Sequence, residues 1–360
     1  MRVLHLVDRY LDRGGAYLHL AGLLEEQRRA GLVVAVAAET QEARAPVEVH
    51  LVPGLASRER APCDPSPVVA RFRPDVVHLH TVVNPEALEW ACGRPAVITV
   101  QDHRYFCPTR GKWRLDGRTC HEALRPELCV ACFEDEAYFR GVYAVTEARL
   151  ATLRALRVVT LSRYMARELE AAGVPAAAVT VVPPFVHDLA SSGGGGPPCV
   201  AVVGRLVESK GVRDAVEAWR RCGTELPLIA AGTGPLRAWI ESQGIAVTGW
   251  LGRPALGRLL GRARAVLMTP RWQEPFGIAG LEALTLGVPV AAWESGGIAE
   301  WHPGPLAAWG DVDAVAGRLR EALASGPVPE PERRRLEALF QPADLMRRLL
   351  GVYQHAVGLP

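Results

Sequence analysis

Two carboxylates, Glu274 and Glu282, bound the run Glu-Pro-Phe-Gly-Ile-Ala-Gly-Leu-Glu. Between them Phe276, Gly277 and Ile278 lead from a loop into the start of an apolar helix. A helix N-terminus offers free backbone N–H groups to an anion. The first carboxylate is placed to accept hydrogen bonds from sugar hydroxyls. The second, two turns into the helix, is placed to reach a ribose diol. Upstream, a strand ends at Gly204, and Arg205 and Lys210 flank the loop that follows. Two cations at a strand end suit a diphosphate, which Arg205 can bind through two parallel bonds. Taken singly, two glutamates near a helix are more often solvated, and two cations more often mark a basic surface loop. The layout as a whole suits a sugar nucleotide.

Short apolar runs alternating with helical patterns must position these residues. The first set of strands is expected at Val3–Val7, Leu32–Ala37, Val76–Leu79, Ala96–Val100, Val158–Leu161 and Val179–Val182. The second set is expected at Cys199–Val203, Leu228–Ala231, Ala246–Thr248, Ala265–Met268 and Val288–Ala292. Helical segments such as Ala16–Ala30, Arg163–Ala172, Val212–Arg221 and Leu236–Gln243 separate them. Such alternation implies α/β architecture, with parallel sheets covered on both faces. The stretch 185–198, with four consecutive glycines between serines and prolines, has the composition of a connector. The expected organisation is therefore an N-terminal Rossmann-like domain, 1–184, and a C-terminal one, 199–341, facing across a cleft. A last helix within 342–360 can pack back on the first domain. Ligands in such sheets bind at the carboxyl ends of the strands.

Composition narrows the class further. A net charge of +2 leaves no electrostatic footprint for nucleic acid. No run of about 18 uncharged apolar residues marks a membrane span. Residues 2–7 are too short for a signal segment, so a cytoplasmic protein is the default expectation. Arg28 and Arg29 are too few to establish a membrane-binding patch, and peripheral membrane contact stays open.

Four of the eight cysteines cluster: Cys107, Cys120, Cys129 and Cys132. The closing Cys-x-x-Cys is a typical chelating pair, and four thiolates suit tetrahedral zinc. Zinc leads a set of alternatives that includes an iron–sulfur cluster, disulfides and free thiols. The excursion 107–132 has little core of its own. Arg104, Arg110, Lys112, Arg114 and Arg118 make it basic, which suits an anionic acceptor or simply a solvated face.

In order and spacing, the segments of 199–302 resemble the C-terminal half of a GT-B glycosyltransferase of the large retaining family 4. The resemblance extends more loosely into the N-terminal half. It implies that Arg205 and Lys210 hold the donor diphosphate, that Glu274 contacts the transferred sugar, and that Glu282 binds the nucleotide ribose. It also implies that the backbone of Phe276, Gly277 and Ile278 contacts sugar and phosphate. Fixed cations and a helix N-terminus stabilise the departing diphosphate, so no catalytic metal is expected. Gly14 and Gly15, after the first strand, resemble the turn that lies close to donor phosphates and acceptor. Where many relatives carry a donor-contacting histidine, Gln101 stands here. Asp102 and His103 remain candidates for contacts at the reacting centre. His78 is expected to be structural, and His80, at its strand's carboxyl end, to line the cleft.

The implied reaction moves a sugar from a UDP- or GDP-sugar to an unidentified acceptor. A sugar-nucleotide epimerase or hydrolase, or a transferase with an unusual nucleophile, would share the fold. A non-catalytic sugar-nucleotide binding protein is the third reading. Product analysis with and without acceptors separates them.

Overall fold

The computed structural model describes residues 1–109, 111–184, 189 and 195–358. Arg110 and most of the expected connector lie outside the described residues. The chain divides into two compact units, Met1–Phe185 with Pro342–Pro360, and Val186–Gln341.

The first unit is built on seven parallel strands: β1 (Arg2–Tyr10), β2 (Val33–Gln41), β3 (Glu48–Leu51), β4 (Val76–Leu79), β5 (Ala96–Val100), β6 (Arg157–Thr160) and β7 (Val179–Val181). Their order across the sheet is β3-β2-β1-β4-β5-β6-β7. The apolar residues of β1 alternate between two cores. Leu4 and Leu6 join Val77, Leu79 and Ile98 on one face, and Val3 and Val7 join Val36, Val76 and Val97 on the other. This is the period-2 consequence of the pleat, and it forces helices onto both faces. The helix Pro342–Ala356 covers part of the second face, burying Leu345, Leu349 and Tyr353 against it. Fully burying a leucine contributes about 1.5–3 kcal/mol, which is ample reason for the last helix to belong to the first unit.

The second unit carries β8 (Cys199–Val203), β9 (Leu228–Ala231), β10 (Ala246–Gly249), β11 (Ala263–Met268) and β12 (Val290–Ala292), in the order β10-β9-β8-β11-β12. All pairings are parallel. In both sheets the strand order reverses beside the first strand, so the crevices where ligands bind such sheets lie between β1 and β4 and between β8 and β11.

Every expected strand is present, with small shifts in bounds. The strand expected from Val288 begins at Val290, because the Val288 N–H donates to the Ala283 carbonyl (2.8 Å) and closes the preceding helix. β3 was not anticipated. It is an edge strand of alternating character whose Leu51 stays largely exposed, so it lacks a buried strand's continuous apolar signature. The turn after Ser295 runs into a 3-10 helix, Gly296–Glu300.

Candidate functional site

The loops leaving β8 and β11 are stitched together along one edge of the second crevice. Thr269 donates its hydroxyl to the Gly211 carbonyl (2.8 Å). The backbone N–H groups of Arg271 and Trp272 both donate to the Ser209 carbonyl, at 3.0 and 3.1 Å. The Arg271 guanidinium binds both carboxylate oxygens of Asp214 at 2.6 Å. The two loops approach so closely that a Cβ on Gly211, at φ 63°, would stand 1.6 Å from the Thr269 carbonyl oxygen.

This stitching brings Lys210 onto Glu274, 64 residues away in sequence. Lys210 Nζ donates to Glu274 Oε2 at 2.7 Å. The Trp272 indole N–H donates to the same oxygen at 2.8 Å. Lys210 Nζ also lies over the Trp272 ring, 4.6 Å from its centroid, and the exposed Arg205 guanidinium lies 5.7 Å from it. One indole thus touches the carboxylate and both cations. Cation–ring contacts of this kind contribute about 0.5–2 kcal/mol each.

The Glu274 main chain is held on its other side. Its N–H donates to Ser295 Oγ at 3.1 Å, and its carbonyl accepts from the Gly297 N–H at 2.8 Å. Only glycine fits at 296, where φ is 53° and a Cβ would meet the Glu274 carbonyl oxygen at 2.1 Å. The carboxylate is therefore buried, 7% exposed, yet sits in a rigid frame.

From there the chain enters the helix Ile278–Thr285 through Gly277, at φ 90°. The Phe276 ring packs edge-on against Phe340, and the Phe276 carbonyl accepts from the Trp301 indole at 2.6 Å. Gly280 faces Trp301 and Met268 so closely that a Cβ would overlap both. These contacts aim the opening N–H groups of the helix, of which the Gly280 N–H is already taken by the Gly277 carbonyl at 3.0 Å. Ile278 opens that turn half-exposed.

Glu282 is buried farther along this helix and takes the Arg253 guanidinium on Oε1 at 2.9 Å. Burial raises its pKa, and Arg253 opposes the rise. Ionised Glu282 therefore costs stability, and would cost more without its partner. The destabilisation caused by Arg253→Ala is expected to be larger at about pH 8, where the carboxylate is charged, than at about pH 5. Melting temperatures of both proteins across that range check this, and an equal loss at both ends would remove the coupling.

In the first unit, β1 delivers Asp8 to the β1–β4 crevice. Asp8 Oδ1 accepts from Tyr17 Oη at 2.9 Å and from the Thr81 hydroxyl. Gly14, at φ 98°, turns the chain into the helix Gly15–Arg29. Asp102 caps the short 3-10 helix His103–Tyr105. Burial disfavours its charge, but Arg104, 2.9 Å away, holds its pKa below the ordinary value. His103 is 2% exposed, and its Nε2 bonds Tyr164 Oη at 3.0 Å. The neighbouring Gln101 Nε2 is buried and makes no hydrogen bond among the described residues.

His80 does not line an open face. It lies in a buried polar chain with His5, His78, Gln27, Thr99 and Tyr353, and His78 is structural there. The Tyr353 hydroxyl accepts from Gln27 Nε2 (2.8 Å) and meets His78 Nδ1 (2.6 Å). His78 Nε2 meets Thr99 Oγ1 at 2.7 Å, His5 Nε2 meets Gln27 Oε1 at 2.7 Å, and His5 Nδ1 meets His80 Nε2 at 2.9 Å. Among the described residues, His5, His78 and His80 are the one group whose ligand atoms all lie within 4.8 Å of one another. Burial lowers all three pKa values, that of His5 to about 4. Five of the six ring nitrogens are already bonded along the chain, so the cluster is explained as a neutral network without an ion.

The loop residues Trp272 and Ser295 and the distant Arg253 escaped sequence reasoning as partners of the carboxylates. Trp272 alone carried a signal, an indole two positions before Glu274. Among the described residues no helix is long and apolar enough to cross a membrane. Arg29 is paired with Glu25 and Glu26.

Two family models match the chain. Residues 13–188 match glycosyltransferase family 4, and residues 197–325 match glycosyl transferases group 1. A glycogen synthase of Mycobacterium tuberculosis is 30% identical over 296 residues, 75% of this chain and 64% of that protein's length. The 2-deoxystreptamine N-acetyl-D-glucosaminyltransferase of Streptomyces fradiae is 27% identical over 327 residues, 81% of this chain and 74% of that protein. The structure of Anabaena HepE in complex with UDP and glucose superposes with a TM-score of 0.69 at 18% identity, covering 99% of this chain and all of that one. A sucrose-phosphate synthase from Thermosynechococcus elongatus gives 0.72 at 15% identity, covering 98% of each chain. At these identities the two structures establish the shared fold, GT-B.

Proposed function

The chain belongs to family 4 of the glycosyltransferases, and on that premise we propose that it transfers a glycosyl unit from a nucleoside-diphosphate sugar to an acceptor, with retention at the anomeric carbon. The observation that carries the reading is the Lys210–Glu274 pair, joined by Trp272 at the entrance to the Ile278 helix. Cation, carboxylate and helix start are the three elements a sugar diphosphate needs.

In this reading Arg205 and Lys210 take the diphosphate, whose charge grows as the glycosidic bond breaks. The first-turn N–H groups at Gly277 and Ile278 add to its stabilisation. Glu274 accepts hydroxyls of the transferred sugar, and Glu282 the ribose diol. Gly14 and Gly15 let backbone approach the phosphates and the acceptor. In a front-face reaction the leaving phosphate can take the acceptor's proton, so the first unit need supply no base. Asp102 then positions the Gln101–Arg104 turn. His103, buried against Tyr164, supports that turn from inside.

The HepE structures hold UDP, which makes UDP-sugars the first donors to try, with GDP-sugars next. UDP is expected to raise the melting temperature of the full chain in a concentration-dependent way, since a ligand at about 100 times its Kd adds about 2.7 kcal/mol to the native state. A UDP-hexose should then be turned over in the presence of an acceptor pool. If neither UDP nor GDP stabilises the protein, the donor assignment fails. If one does and the products are epimers or free sugar whatever acceptor is supplied, the transferase reading fails.

A further inference from the structure

We propose that Cys107, Cys120, Cys129 and Cys132 form a structural zinc site that pins the 107–132 excursion to the first unit. All eight cysteines carry free thiols. These four line one recess together with Trp113 and Leu128.

Local backbone geometry delivers each pair. Cys107 follows the His103–Tyr105 turn, with its N–H on the His103 carbonyl at 2.8 Å. A tight hairpin between Trp113 and Thr119 then reverses the chain, and the Cys120 N–H closes it on the Lys112 carbonyl at 2.7 Å. This returns Cys120 to the recess. Cys129 ends one short helix, Pro126–Cys129, and Cys132 ends the 3-10 turn that continues it. Two thiols three residues apart on one turn share a face.

The excursion also needs a staple. Between Thr109 and Leu128, the described residues that are buried are Gly111, Lys112 and Trp113. Leu115 and Leu128 are exposed. A segment with so small a core rarely holds its shape without a cross-link or a metal. Free thiols in this number, with no histidine or carboxylate needed to complete the set, match the preference of zinc for a closed tetrahedral thiolate site. No three of the four sulfurs lie mutually within 4.8 Å. A zinc ion with bonds of about 2.3 Å would draw them to about 3.8 Å apart. Metal binding therefore contracts the recess, and the energy of binding becomes stability of the excursion.

The test uses the full chain purified without chelator. One equivalent of zinc per chain is expected by elemental mass spectrometry, released by a mercurial in step with thiol titration. Cys129→Ser should lose the metal, and Cys222→Ser, outside the cluster, should keep it. Because Cys129→Ser can fail to fold, the wild-type chain stripped of metal is also titrated with cobalt, which should give the visible bands of a tetrahedral tetrathiolate. Hydrogen exchange across the hairpin should slow when metal is restored. A folded chain that takes up neither zinc nor cobalt overturns the proposal. So does iron with sulfide, or a disulfide found by mass among the four.

Discussion

Glu274→Gln is expected to remove transfer by roughly 10²–10³-fold while leaving UDP affinity unchanged or raised by up to about tenfold. The two effects have opposite signs for one reason. In the structure the Lys210 ammonium is paired with Glu274 at 2.7 Å. A donor diphosphate must compete with that carboxylate for Lys210, and success frees Glu274 to accept the sugar hydroxyls. Glutamine keeps the shape, the Ser295 and Gly297 bonds to the main chain, and an oxygen for the Trp272 indole. It removes the negative charge that competes with the diphosphate and the strong acceptor that the sugar needs. The rate loss should fall on kcat, since an interaction strengthened in the transition state is lost. Calorimetric titration with UDP and initial rates with a UDP-sugar check both halves. Unchanged turnover sinks the assignment of Glu274, and UDP binding at least tenfold weaker sinks the competition.

The strands were legible because parallel strands buried on both faces read as continuous apolar runs; Ala96–Val100 and Leu228–Ala231 are buried along their whole length. β3 was not, because its edge position leaves it half polar. The glutamates and cations of the donor side were legible as residue types. Their pairing was not, because Lys210 meets Glu274 only through the Ser209, Gly211 and Asp214 bonds that stitch two distant loops. The glycines at 211, 277 and 296 are required by positive φ and by the close approach of a neighbouring chain or ring. His80 misled most. His78 is structural as expected, but His80, just past the carboxyl end of β4, resembles a cleft residue and is instead consumed by the neutral network that fastens Tyr353 of the last helix to the sheet. Nothing in the local sequence distinguishes the two fates, because the deciding partners, Gln27 and Tyr353, lie far along the chain.

Lys210→Arg is expected to lose transfer nearly as fully as Lys210→Ala, by about 10²-fold or more. Of the 41 basic residues in the chain only two are lysines, Lys112 and Lys210. In a sequence that otherwise uses arginine for positive charge, both lysines sit in ion pairs, Lys112 buried and Lys210 half-buried. Lys112 Nζ lies 2.8 Å from a Glu168 oxygen and 2.5 Å from the Glu122 carbonyl. Lys210 Nζ fits between the Glu274 carboxylate and the Trp272 ring. A guanidinium is planar, wider and less readily shared between a carboxylate and a phosphate oxygen at one point. It would pair bidentately with Glu274 and hold the carboxylate back from the sugar. The alanine variant fails differently: it leaves Glu274 7% exposed with its opposing cation gone, and breaking a buried pair in this way costs about 3–5 kcal/mol. The two variants are therefore separable. Lys210→Arg should melt near the wild type and bind UDP, yet turn over slowly. Lys210→Ala should melt lower and lose UDP. Arg205 is exposed, its guanidinium 5.7 Å from the centroid of the same indole, so Arg205→Lys should lose less of the rate than Lys210→Arg. If Lys210→Arg proves as active as the wild type, the ammonium is merely a surface charge near the diphosphate, and the exchange of Lys210 between Glu274 and donor is wrong.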